Sequence, residues 1–168
     1  MRKYGIVLVL IAALVAAWGT SASAISGPQT FSLLEVSPPN SDQPIGDFTF
    51  DRPPAGGDRI AFRNELYKWA GTKRGARAGR DQVLITFITG FGPDFSQKAT
   101  ALFVAQVYIP GGTMLAQGYA QLAEGPLKAR FPIVGGTGIY ANARGYVNVR
   151  DLGDGNENKT NLEFHLMV

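Results

Sequence analysis

From Asp58 to the C-terminus, short apolar stretches rich in β-branched and aromatic residues alternate with turn-forming residues. They read DRIAFRNELYKW (58–69), DQVLITFITG (81–90), KATALFVAQVYI (98–109), TMLAQGYAQLA (113–123), KARFPIV (128–134), RGYVNVRD (144–151) and KTNLEFHLMV (159–168). An earlier stretch, FSLLEV (31–36), has the same character. Gly, Pro, Asp or Asn separate them, as in Ile109-Pro110-Gly111-Gly112-Thr113, and no segment repeats with a period near 3.6. The pattern predicts an all-β chain of eight strands. Joined by short turns, eight antiparallel strands close into a single barrel with an apolar lumen, which removes both edges and leaves room for one small ligand. A two-sheet sandwich is the alternative. The segment 28–54, rich in Pro, Asp, Ser and Gly around FSLLEV and FTF (48–50), is expected to form the first strand and then a long irregular, lid-like loop.

Side chains two apart on a strand share a face. Phe31, Leu33 and Glu35 then form one row, and Ile60, Phe62, Asn64 and Leu66 another, so a carboxylate and a carboxamide sit among apolar neighbours. If these rows face the lumen, they have the anatomy of a small-molecule site, mostly apolar with a few placed polar atoms. The plainer alternatives are a Glu35 at the strand's exit to solvent and an Asn64 that only satisfies neighbouring backbone. The row Ala99, Ala101, Phe103, Ala105, Val107 and Ile109 suits either the lumen or a subunit contact.

Other chemistry is thin. His165 alternates with Glu163 and Met167, opposite Leu162, Phe164 and Leu166, and is expected at the surface. One histidine and no cysteine make no standard metal site, and no G-x-S-x-G elbow is present. The stretch from Lys68 to Arg80 carries five positive charges and no acid, and reads as a solvated hairpin loop or an anion-binding patch. The stretch PIVGGTGIYANARGYV (132–147) has the G-x-G-x-x-A spacing of a dinucleotide fingerprint at Gly136, Gly138 and Ala141. That fingerprint needs a helix after the glycines, whereas Tyr146-Val147-Asn148-Val149 alternates like a strand, so no cofactor is expected. Asn158-Lys159-Thr160 is a glycosylation sequon.

Arg2 and Lys3, the uncharged apolar run from Tyr4 to Ala17 and Ala22-Ser23-Ala24 have the order of a secretory signal peptide. Residues 1–24 are read as that leader, leaving 25–168 as one domain without stable membrane insertion and placing the protein outside the cell. The formal net charge is +3, and the leader's Arg2 and Lys3 supply two of those charges, so nucleic acid is a poor partner. Without cysteines the fold depends on packing alone.

The segment Gly57-Asp58-Arg59-Ile60-Ala61-Phe62-Arg63-Asn64-Glu65-Leu66-Tyr67 resembles the G-D-x-V-x-F-x-N-x-L-Y segment of plant allene oxide cyclases. Ala116-Gln117-Gly118 and Gly135-Gly136-Thr137-Gly138-Ile139-Tyr140 also resemble that family. Continued through Ala143-Arg144-Gly145-Tyr146, the last motif is equally similar to a signature of dirigent proteins. Both families have one eight-stranded barrel, and the resemblance covers nearly all of 25–168. It implies that the glycine turn is a structural joint. It also implies that Glu35 stabilises positive charge developing in a substrate, and that Asn64 and Pro44, nine residues after Glu35, hold a water near the reacting oxygen. Tyr119 matches the cyclases' G-P-Y tyrosine with the proline deleted, and Arg144 a dirigent functional-region arginine. The sequence departs from the cyclases at Ser37, where they have asparagine, and at Asp81, where they have cysteine.

The expectation is a secreted barrel that binds a small hydrophobic molecule, fatty-acid-derived or phenolic, and directs its cyclisation or coupling without a cofactor or metal. Glu35, Asn64 and Pro44 are the catalytic candidates, and Phe62, Leu33, Tyr119 and Arg144 the ligand-binding ones. The resemblance further implies a homotrimer. The alternatives are a non-catalytic carrier, and an interaction protein using the basic stretch 68–80.

Overall fold

Turns at glycine, proline and asparagine cut the described residues into nine strands, which the computed structural model places in one antiparallel sheet rolled into a closed barrel. The structure describes residues 26–71, 73–92, 97–123, 125–153 and 159–167. The leader 1–24 and Asn158 of the sequon lie outside the described residues.

The strands are β1 (Gln29–Val36), β2 (Asp42–Ile45), β3 (Arg59–Trp69), β4 (Arg74–Thr89), β5 (Ala99–Ile109), β6 (Gly112–Leu122), β7 (Lys128–Gly136), β8 (Arg144–Asp151) and β9 (Lys159–Met167). Neighbours run in the order β1-β9-β8-β7-β6-β5-β4-β3-β2. A further ladder pairs β1 with β3 (Leu33 with Lys68, Leu34 with Tyr67, Glu35 with Leu66, Val36 with Glu65) and closes eight strands into the expected barrel. The ninth, β2, lies beside the first half of β3.

Alternation along each strand decides what faces inward. Burying each Leu, Val or Phe removes apolar area worth roughly 1.5–3 kcal/mol, so each apolar row turns to the lumen. On β5 the row Ala99, Ala101, Phe103 and Val107 is buried in the core, which settles that row as an inner wall and not a subunit contact. Ile60 and Leu66 of β3, and Leu162, Phe164 and Leu166 of β9, do the same. Phe103 on β5 and Phe131 on β7 meet at 5.0 Å over Gly118 of the intervening β6, and Phe31 and Phe164 stack at 5.0 Å as direct cross-strand partners.

Two sequence expectations need correction. The segment after β1 is not wholly irregular, because β2 pairs with β3 from Asp42–Phe62 to Ile45–Arg59. Its Pro44 is tolerated because β2 is an edge strand that needs no second set of hydrogen bonds. The basic stretch 68–80 is not a solvated loop beyond its turn, since β4 already begins at Arg74. Three of its five charges have partners: Arg74 lies 3.6 Å over the Tyr67 ring, Arg77 pairs with Glu65, and Arg80 lies 5.2 Å over Tyr108.

Each end of the barrel is capped by a different device. At the end where β3 starts and β4 finishes, the loop before β3 packs buried Phe48 into the core. Arg52 Nη1 donates to Asp58 Oδ2 at 2.6 Å, and Ala55 N–H donates to the same carboxylate at 2.7 Å, holding that loop. At the opposite end, Gly138–Tyr140 forms one 3-10 turn before β8, seating buried Tyr140 and Ala143. No helix follows the glycines, which excludes the dinucleotide cradle.

The ladder between β6 and β7 is the shortest in the barrel. It pairs Met114 with Gly136, Leu115 with Gly135 and Ala116 with Ile133, and then stops at Pro132, which has no N–H to offer.

Gly138 adopts φ +61°, and a Cβ there would lie 2.1 Å from the Gly111 carbonyl oxygen. Replacement by Ala adds left-handed strain to a backbone clash. The Gly138→Ala variant is expected to lose on the order of 2–4 kcal/mol of stability. Urea unfolding followed by circular dichroism checks this, and an unchanged midpoint would show that the turn is not a required joint.

Candidate functional site

The inward rows of β1, β3, β4, β5, β8 and β9 stop short of filling the barrel, leaving a cavity of about 290 Å³. That is near the lower end of the range for small-molecule pockets, roughly 300–1,000 Å³. Its wall is largely apolar, with the rings of Phe62, Phe103, Phe131 and Phe164 and the side chains of Val83, Ile85, Val147 and Val149. Toward the rim where β1 and β8 end and β9 begins, the lining turns polar at Ser37, Asp151 and Thr160.

One polar cluster crosses three strands. The closing ladder sets Glu35 opposite Leu66, and the next ladder sets Asn64 opposite Asp81, so β1, β3 and β4 each contribute an inward polar group. Ser37 Oγ donates to Asn64 Oδ1 at 2.9 Å, and Asn64 Nδ2 donates to Asp81 Oδ1 at 2.9 Å. The Asp81 and Glu35 carboxyls are hydrogen-bonded to each other. Asn64 is 4% exposed and Asp81 1%. Glu35 keeps some accessible surface because it faces the cavity, yet protein surrounds it on every side.

Two carboxyls so placed cannot both ionise cheaply. Burial pushes the Glu35 carboxyl well above its ordinary value, and Asp81 and Asp151 push it further, against a smaller opposing effect of Asn64. Burial also raises Asp81, but the hydrogen bonds from Glu35 and Asn64 favour its charged form. Glu35 therefore holds its proton to higher pH, and Asp81 is the more acidic carboxyl of the pair. The arrangement offers a hydrogen-bond donor and a buried negative charge side by side.

The other sequence candidates fall in different places. Phe62 lines the cavity beside Asn64. Leu33 faces inward as its row requires, but is packed in the core and does not line the cavity. Pro44 is exposed on β2, where it pairs with Ile60, and it does not line the cavity. Tyr119 is 67% exposed, because on β6 it alternates with the inward Ala116, Gly118 and Ala120 row. Arg144 points away from the lumen for the same reason of parity, with Nη1 donating to the Ala143 carbonyl at 2.9 Å. His165 is on the outer face as expected, stacked 4.5 Å from Tyr146 and 3.0 Å from Glu163. Asp81 itself was passed over in the sequence as a departure from a family pattern. Its row with Val83, Ile85 and Phe87 is the same signal that singled out Glu35.

No family model matches the sequence, and no curated protein sequence matches it. Solved structures do match in fold. A pterocarpan synthase dirigent protein superposes with a TM-score of 0.65 at 14% identity, over 85% of this chain and 97% of that one. An exo-specific intermolecular Diels-Alderase gives 0.58 at 13% identity, over 84% and 98%. A pyocyanin demethylase gives 0.55 at 23% identity, over 80% and 98%. The fold is that of the dirigent and cyclase barrels. The finer likeness to allene oxide cyclases rests on the sequence motifs.

Linkage gives the Glu35 proton a measurable consequence. Unfolded, Glu35 titrates near 4.5, whereas the folded barrel holds its proton to higher pH. Above 4.5 the folded state therefore binds more protons than the unfolded one, and stability falls as pH rises until it passes the folded value. In the Glu35→Gln variant that slope is expected to shrink, with only the smaller contribution of Asp81 remaining. It should melt like wild type at pH 4 and a few degrees higher at pH 8, since about 1 kcal/mol moves Tm by about 2–4 °C at this size. Thermal melts across that range check it, and parallel pH profiles for the two proteins would refute the assignment.

Proposed function

We propose that the barrel binds a small, largely hydrophobic molecule in its lumen and directs that molecule's cyclisation or coupling. The observation that carries this reading is the Ser37–Asn64–Asp81–Glu35 cluster, set in the wall of an otherwise apolar cavity. The similar folds of a pterocarpan synthase dirigent protein and an exo-specific intermolecular Diels-Alderase, whose names denote coupling and cycloaddition chemistry, support it.

Such chemistry needs little beyond confinement. Holding a flexible or reactive molecule in one near-attack conformation removes much of the entropic barrier, and the shape of the wall selects the product. The polar cluster adds electrostatics that are strong where water is excluded. The Glu35 hydroxyl, keeping its proton, donates a hydrogen bond to an acceptor oxygen of the ligand as electron density moves onto that oxygen. The Asp81 charge faces any positive charge that develops on the carbon skeleton. Asn64, held by Ser37, keeps Asp81 aligned. Pro44 has no part in this scheme, and the role of Glu35 shifts from bare carboxylate to proton donor. An allene oxide cyclase-like isomerase is the specific form that the sequence motifs favour, and export through the leader belongs to the same reading.

A non-catalytic carrier would need the cavity but not the acid pair. The two are separated by combining ligand extraction from purified protein with a cyclisation assay on a short-lived allene oxide supplied as its neutral fatty-acid methyl ester. Wild type is expected to bias product stereochemistry, with Glu35→Gln and Asn64→Ala weakening the bias by about tenfold or more. Filling the lumen by Ala105→Trp is expected to abolish both the bias and the uptake of a neutral, environment-sensitive dye. Identical products from all these proteins and from buffer, with dye uptake intact, would leave the carrier.

A further inference from the structure

The charges around the cavity are one-sided. Glu35, Asp81 and Asp151 line it, while no lysine, arginine or histidine does among the described residues. Asp81 lies almost wholly buried, and the groups that act on it are Asn64 and Glu35, neither of them a cation. A buried carboxylate held by hydrogen-bond donors alone remains costly, and an opposite charge beside it offsets that cost further. The rest of the wall supplies the faces of four phenylalanines, Phe62, Phe103, Phe131 and Phe164. Aromatic faces with a nearby carboxylate are the surroundings in which an organic cation is desolvated at least cost.

We propose that the lumen is built for an organic cation, a protonated or quaternary nitrogen carried on a flat or polyene apolar skeleton. The nitrogen charge sits toward Asp81 and Glu35, and the skeleton lies among the phenylalanine rings. The proposal rests on the reading of the cavity as a ligand site and narrows its occupant. It sets aside free fatty-acid carboxylates, which would add a fourth acidic group to a lumen with no counter-charge.

One skeleton in three charge states tests it with the full-length protein. The probes are (2-naphthylmethyl)trimethylammonium, 2-naphthylmethanol and 2-naphthylacetate, titrated at pH 7 by calorimetry and by naphthalene fluorescence. The cation is expected to bind about tenfold tighter than the alcohol. The carboxylate is expected to bind about 100-fold more weakly than the alcohol, because it must enter as its neutral acid more than two units above its pKa. In Asp81→Asn the advantage of the cation over the alcohol should shrink to within about threefold. An alcohol that binds wild type as tightly as the cation overturns the proposal while leaving the cavity reading intact. Failure of all three probes to bind overturns the cavity reading as well. A folded Asp81→Asn that keeps the full preference for the cation also overturns the proposal. Should that variant not fold, the order of the three probes on wild type decides alone.

Discussion

The four-residue ladder between β1 and β3 is the contact on which the site depends. It joins the first wall of the barrel to a strand that otherwise pairs with β4 and β2, turning an open sheet into a closed one. Closure shuts water out of the interior and brings Glu35 alongside the pair Asn64 and Asp81. A sheet that stayed flat would leave Glu35 on an edge strand, solvated and ordinarily acidic. The altered acidity of this carboxyl is thus a property of topology before it is one of local chemistry.

The polar cluster is expensive to keep. Leucines at positions 35 and 81 would fill part of the void with apolar contact, and replacing buried charged groups by packed hydrophobic ones is often neutral or stabilising. Instead the barrel spends part of its packing energy on a wet-tolerant corner inside an oily chamber. The hydrogen-bond relay from Ser37 through Asn64 limits that cost, because each buried polar group finds a partner.

Much of the barrel was legible because alternation is a direct consequence of the pleat. The rows on β3, β5 and β9 turned inward as their parity required, and two of the cluster's members followed from it. What the sequence hid depends on pairings distant along the chain. Nothing local shows that Asp81 meets Glu35, which lies on a strand brought near only when the barrel closes. Pro44 and Tyr119 were selected by motif matching and neither lines the cavity, since a motif fixes order along the chain but not which residues reach the lumen. The basic stretch 68–80 read as a loop because its charges look solvated. Cross-strand partners on Tyr67, Glu65 and Tyr108 allow it to be strand.

The short seam between β6 and β7 bears on how large a guest the chamber can hold. A cylinder stitched evenly all round widens only by loosening many rungs together. Here the rungs end at Ala116 and Ile133 and packing takes over, with Phe131 and Pro132 settled against Gly118, which has no side chain to hold them off. Any larger residue at position 118 would press that phenylalanine inward, so one missing methyl group helps to set the space left for a guest.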